Sequence, residues 1–172
     1  MKHIIIFLLL SMAVICHAQD HLRFLGCPIT GDMKTFVDQM KSKGLATAVH
    51  RSWFKGMKTK FLNGSFWNFP DCDIVVRQPK KYNNVTSVYI HPHSNFLLLN
   101  DLISVLDDKY GQHTVQYPTS DVNAMNYVWN IPEGCVLIYA TTTYGQVFDI
   151  MYRDYTEVRM LKAYSDAIDD EL

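Results

Sequence analysis

The sequence predicts an α+β fold: two tandem units, each a helix followed by an antiparallel meander, closed by a C-terminal helix. Three observations predict it. Apolar residues recur at helical spacing in two separate stretches: Met33, Phe36, Val37 and Met40, then Leu98, Leu99, Leu102, Ile103 and Leu106. After each stretch the apolar spacing changes to period two, the mark of half-buried strands. A short pattern is also written twice. Phe66-Trp67-Asn68-Phe69-Pro70-Asp71-Cys72 is echoed by Val128-Trp129-Asn130-Ile131-Pro132-Glu133-Gly134-Cys135, with Ile74-Val75-Val76 and Val136-Leu137-Ile138 behind the two copies.

From the N-terminus, Lys2 and His3 precede an apolar run from Ile4 to Cys16, and Cys16-His17-Ala18 follows. This is the layout of a signal peptide cleaved after Ala18. The run is shorter than the roughly 20 residues that span a bilayer as a helix, and no second run of that kind follows. The expected destination is therefore outside the cytoplasm, secreted or periplasmic. The remainder divides into a first unit, 19–92, and a second unit with the last helix, 93–172, forming one compact domain of two halves.

The first helix is expected to stop at Lys43-Gly44 and the second at Tyr110-Gly111, because glycine accepts the positive φ of a helix C-cap. Asn63-Gly64 would ordinarily mark a tight hairpin. The matching Met125-Asn126 carries no such signal, so a bulge or kink inside one long strand is the better reading. Pro70-Asp71 and Pro132-Glu133 read as turns, since proline presets φ. By alternation Trp67, Phe69, Trp129 and Ile131 share a face, expected to be core. Val85 to Ile90 reads as a strand, and so does the segment holding Val147, Ile150 and Tyr152, after a Thr143-Tyr144-Gly145 turn. Met160, Leu161, Tyr164 and Ile168 form the apolar stripe of the last helix. Asp169-Asp170-Glu171 at its negative dipole end predicts fraying there.

Composition limits the function. With 48% hydrophobic residues the chain is too apolar for disorder. A net charge of -1 removes the electrostatic case for a nucleic-acid binder. No G-x-S-x-G, H-E-x-x-H, P-loop or G-x-G-x-x-G occurs, so no catalytic residue and no cofactor is assigned. His91 and His93, one residue apart around Pro92, would share a strand face and are the best metal candidates. No spacing fixes a third ligand, and no metal is assigned. After cleavage Cys27, Cys72 and Cys135 remain. Cys72 and Cys135 hold matching places in the echo, and are either a disulfide across a pseudo-two-fold axis or two inert buried thiols. Between Arg51 and Lys81 seven basic residues stand against two acids. Of these, Lys58 and Lys60 share one strand face, a candidate basic surface for an anionic partner. The segment from Asp149 to Leu172 is acidic.

His21-Leu22-Arg23-Phe24-Leu25-Gly26-Cys27-Pro28-Ile29-Thr30-Gly31, Lys43-Gly44, Asp107-Asp108-Lys109-Tyr110-Gly111 and Tyr152-Arg153-Asp154-Tyr155 together resemble a group of small secreted proteins of gut bacteria with no assigned activity. The resemblance covers most of residues 20–172 and implies the strand–helix layout and no catalytic residues. Two tandem helix-plus-sheet units are also similar in layout to the β-lactamase-inhibitor-protein fold. The expected function is non-enzymatic binding of a macromolecule at the cell envelope or outside the cell. The alternatives are a small cell-envelope hydrolase with a site between the halves, or a glycan or small-ligand binder using Tyr82, Tyr89, Tyr139 or Tyr144.

Overall fold

A computed structural model describes residues 20–49, 56–93, 96–143 and 146–169, the last six through the backbone alone. The expected leader, residues 1–18, lies outside them, as do Tyr144 and Gly145. The chain opens with a two-stranded hairpin, β1 (Arg23–Phe24) and β2 (Cys27–Pro28), turning at Leu25-Gly26 with φ of 48° and 78°. Two consecutive positive φ values suit the twist of a tight hairpin. Helix α1 (Met33–Ser42) starts at Asp32, whose carboxylate accepts the Thr35 N–H at 2.9 Å. It ends where Gly44, at φ 92°, lets the Leu45 N–H return to the Met40 carbonyl at 3.2 Å.

Strands β3 (Ala46–Thr47), β4 (Met57–Phe66), β5 (Phe69–Pro79) and β6 (Ser87–Pro92) follow. A 3-10 turn, Phe96–Leu98, leads into α2 (Leu99–Tyr110), which Gly111 closes at φ 85°. Then come β7 (Thr114–Gln116), β8 (Ala124–Ile131), β9 (Gly134–Thr141), β10 (Val147–Asp154) and α3 (Tyr155–Asp169). The last eight strands form one antiparallel sheet in the order β3-β4-β5-β6-β10-β9-β8-β7. The architecture is thus α+β, and its central pair is β6 against β10.

The core lies on one face of that sheet. Ile74, Ile90, Ile150 and Ile138 stand in register across β5, β6, β10 and β9, all at 0% exposure. Val76, Val88, Tyr152 and Val136 form the next row, all buried. Branched side chains suit this pleated surface because neighbouring rows interlock. Phe36, Val37 and Met40 of α1, Leu102 and Leu106 of α2, and Phe24 and Ile29 near the N-terminus complete the same cluster.

As expected, no hairpin forms at Asn63-Gly64: β4 runs through both residues in regular register, and the register shift comes just beyond them, between Gly64 and Phe66, with the extra residue on β5. A Cβ on Gly64 would run into the end of the Leu45 side chain, which would have to shift to admit it. The tryptophan echo, however, does not mark equivalent positions. The first chain reversal falls at Trp67-Asn68, with Trp67 at φ 50° and 38% exposed. The second falls at Pro132-Glu133, which leaves Trp129 inside β8, 2% exposed. Relative to its tryptophan the first reversal comes earlier than the second, so Pro70 enters β5 instead of making the turn; the bulge, whose extra residue lies on β5 between Phe69 and Cys72, is too small to account for the difference. Phe69 is buried as expected and Ile131 is half-buried; Trp67 is the exception.

The same shift removes the matching of the cysteines. Cys72 pairs across to Gly64 and Pro92, and Cys135 to Asn130 and Arg153. Their strands, β5 and β9, are separated by β6 and β10. Three strand spacings amount to about 14 Å, whereas a disulfide needs Cα atoms within about 7 Å. Cys27, Cys72 and Cys135 are free and buried, so of the two alternatives for Cys72 and Cys135 the bridge is out of reach and two buried thiols remain. In the last helix Met160 is half-buried but Leu161 is 47% exposed, so the expected stripe does not hold as one buried face. The side chains of Tyr164 and Ile168, with Asp170 and Glu171, lie outside the described residues.

Candidate recognition face of the sheet

Along β10, Phe148, Ile150, Tyr152 and Asp154 are buried while Val147, Asp149, Met151 and Arg153 are only half-buried. Strand β5 repeats this, with Ile74 and Val76 buried and Asp73, Val75 and Arg77 half-buried. The face opposite the core therefore keeps partial access to solvent through the middle of the sheet. Its side chains fall into rows. The central row, Phe61, Val75, Tyr89, Met151 and Leu137, is apolar and runs across β4, β5, β6, β10 and β9.

On one side of that row lie Thr59, Arg77, Ser87, Arg153 and Cys135, again in register. The Arg77 guanidinium sits 3.6 Å from the Tyr89 ring centroid, and that of Arg153 6.0 Å from the same ring. Such cation–π stacking holds planar guanidiniums flat on a sheet. Burial, more than any other cause, pulls the Arg77 pKa down, and Arg153 adds to this; Tyr89 and Glu157 oppose it. Glu157, buried in the first turn of α3, accepts a bond from the Thr86 hydroxyl at 2.7 Å and lies 3.9 Å from Arg153 Nε.

On the other side the face is acidic and imidazole-rich. His91 Nδ1 lies 2.7 Å from Asp149, and His93 lies between Asp71 at 3.0 Å and Asp73 at 3.1 Å. Hydrogen bonding to Asp71, then to Asp73, raises the His93 pKa. These are the two histidines singled out as metal candidates. His91 Nδ1 and both His93 nitrogens are turned to carboxylates, and no group of three or more His, Cys, Asp or Glu among the described residues is arranged to hold a metal ion. His113 is elsewhere, its Nδ1 on Asp107 at 2.9 Å, the carboxylate that also accepts Trp129 Nε1 at 2.9 Å.

Lys58 and Lys60 are exposed and share one face of β4, the face that carries Leu62. They therefore lie away from the guanidinium pair. The converging cations are Arg77 and Arg153, which sequence reasoning missed. The signal was present: each arginine stands two residues from an apolar one (Val75, Met151) and one from a core residue (Val76, Tyr152). Of the tyrosines, Tyr89 lies under the arginines, Tyr82 is 42% exposed, and Tyr139 donates to Asp121 at 2.9 Å. Tyr144 lies outside the described residues. Asp121 also accepts the Thr143 and Thr141 hydroxyls, both at 2.7 Å, which hold its carboxyl down at about 2. Burial pushes the Cys72 thiol up to about 11 and raises Cys135 as well, so both stay protonated near neutrality.

A second feature lies at the end of the sheet. His21 Nδ1 meets Asp154 at 2.9 Å, and Asp154, 1% exposed, also accepts the Thr156 N–H at 3.1 Å. His21 borders a hollow with Arg23, Lys109, Tyr110 and Glu133. No family model, curated protein or solved structure matches this chain. Among the described residues no helix is long and apolar enough to cross a membrane.

Proposed function

We propose that this is a secreted or periplasmic, non-enzymatic binding protein that presents the half-exposed face of its sheet to a macromolecule at the cell envelope or outside the cell. The observation that carries the reading is the arrangement of rows. An apolar and aromatic band across five strands, about 19 Å wide, is flanked by arginines on one side and by aspartates with histidines on the other. Interface centres favour aromatic residues, methionine and arginine, and charges of opposite sign on the two flanks fix the orientation of a partner.

The leader at residues 1–18 supports export. The strand order, in which each helix precedes four strands and the two sets meet at β6 and β10, supports a fold built as two copies of one unit, similar in layout to the β-lactamase-inhibitor-protein fold. The core side of that junction is packed with Val88, Ile90, Ile150 and Tyr152, which favours surface recognition over a catalytic cleft between halves.

The test is retention of envelope-extract partners on the immobilised protein. Met151→Glu, which puts a charge in the apolar band, is expected to abolish retention. Val105→Glu, on the exposed surface of α2, is expected to leave it intact. Equal retention by both variants overturns the reading.

A small hydrolase is the second reading, and the His21–Asp154 pair favours it. A buried carboxylate on Nδ1 fixes the imidazole tautomer and leaves Nε2 as a base. Turnover of an ester or amide substrate that disappears in His21→Ala supports that reading; turnover unchanged in the variant rejects it.

A further inference from the structure

We propose that the hollow beside His21 binds a small zwitterionic ligand, a free amino acid or a short peptide, by its ammonium and carboxylate groups. The inference stands apart from the sheet face and requires no turnover. Three segments distant in sequence build the hollow, which measures about 470 Å³: residues 20–23, the end of α2 at Lys109 and Tyr110, and the β8–β9 turn at Ile131, Pro132 and Glu133. That volume lies in the range of small-molecule sites. The charges of its lining are balanced, Arg23 and Lys109 against Asp20 and Glu133. All four residues are exposed or half-buried, within reach of a ligand. A plain anion would meet two carboxylates there and a plain cation two bases, whereas a ligand with both charges meets partners of both signs.

His21 adds an acceptor of fixed direction. One oxygen of the buried Asp154 accepts the Thr156 N–H at 3.1 Å and its hydroxyl at 2.9 Å, and the other takes His21 Nδ1 at 2.9 Å. The imidazole proton therefore sits on Nδ1, and Nε2 is left to accept a ligand N–H. Tyr155 stacks on the ring, centroids 5.3 Å apart, and the side chain stays 26% exposed. Imidazole and carboxylates together suit an ammonium. The bases suit a carboxylate. Arg23 gives Nη1 to the Gly26 carbonyl at 3.1 Å, and Lys109 holds its ammonium 4.8 Å from the Tyr110 ring centroid, which leaves donors on both. Leu22 and Ile131 provide an apolar wall for a ligand side chain.

The test titrates the full mature chain with leucine and with leucylleucine, following the His21 ring Cε1–Hε1 resonance by NMR. A saturable shift at His21 is expected. Tighter binding of leucine assigns a free amino acid, and tighter binding of leucylleucine a short peptide. Acetylleucine, which lacks the ammonium, and leucinamide, which lacks the carboxylate, are each expected to bind about tenfold more weakly, as loss of a hydrogen bond to a charged group does. Glu133→Gln and Lys109→Met, both outside the core, are each expected to weaken leucine or leucylleucine about tenfold as well. No shift from either zwitterion, equal binding of acetylleucine or leucinamide, or unaltered affinity in both variants overturns the site. If the site falls while Met151→Glu still abolishes partner retention, the recognition face stands.

Discussion

On one face of the central strands Ile74, Ile90, Ile150 and Ile138 stand side by side and lose all contact with solvent. One residue along each strand, Val75, Tyr89, Met151 and Leu137 stand side by side on the other face and keep part of theirs. Both rows are apolar, so residue type does not distinguish them. What differs is what lies above each row. The isoleucines meet α1, α2 and the N-terminal hairpin, whereas the second row is bordered by arginines and by aspartates with histidines. A strand face becomes core when another layer covers it, and apolar residues on a less covered face are available to bind.

The largest expected contrast is between the two tryptophans. Trp129→Ala, which empties a core position and removes one of the hydrogen bonds to Asp107, should cost about 3–5 kcal/mol. Trp67→Ala in its half-exposed turn should cost about 1 kcal/mol or less. Urea denaturation with unchanged m-values measures both, and similar losses would restore the equivalence of the two echoed segments. Next in size is the contrast between faces. Ile150→Ala should cost about 2–5 kcal/mol, and its neighbour Met151→Ala about 1 kcal/mol or less. Equal costs would mean that the second face is also core.

Two titrations give smaller effects. The Asp121 carboxyl should titrate with a midpoint at about 2, because hydroxyls from Thr143 and Thr141 favour its ionised form. A depressed pKa means that the folded state prefers the carboxylate. Its contribution is complete above the ordinary carboxylate value of 3.8 and is lost as pH falls through about 2. Carbon NMR of the side chain checks this, and a midpoint at the ordinary value would contradict the loop's attachment to β9. His93 should titrate above 6.5, its elevation removed by Asp71→Asn with Asp73→Asn. Its contribution is present below 6.5 and lost as pH rises through the elevated value. The group is largely exposed, so the effect on stability is the smallest of the four.

Much of the fold was legible because it rests on local rules. Helical spacing with Gly44 and Gly111 as stops located α1 and α2, and comparison with Met125-Asn126 kept Asn63-Gly64 inside one strand. The echo misled because similarity records the order of residues and not their register. The chain reverses beside Trp67 in the first copy and beyond Trp129 in the second, which separates the two tryptophans and parts Cys72 from Cys135. The recognition face was hidden for a related reason. Arg77 meets Ser87 through the β5–β6 pairing, but Arg153 joins them only when β6 pairs with β10, a contact between distant segments that no local pattern encodes. His91 and His93 were visible as a pair, but their partners Asp149, Asp71 and Asp73 come from two other strands.

The measurement that tests the central claim most directly is site-specific photo-cross-linking in envelope extract. Benzoylphenylalanine replaces Leu137 on the proposed face in one protein and Val122, 90% exposed in the loop before β8, in another. A discrete adduct from position 137 and none from position 122 is the predicted result. An adduct from position 122 with none from position 137 would contradict it.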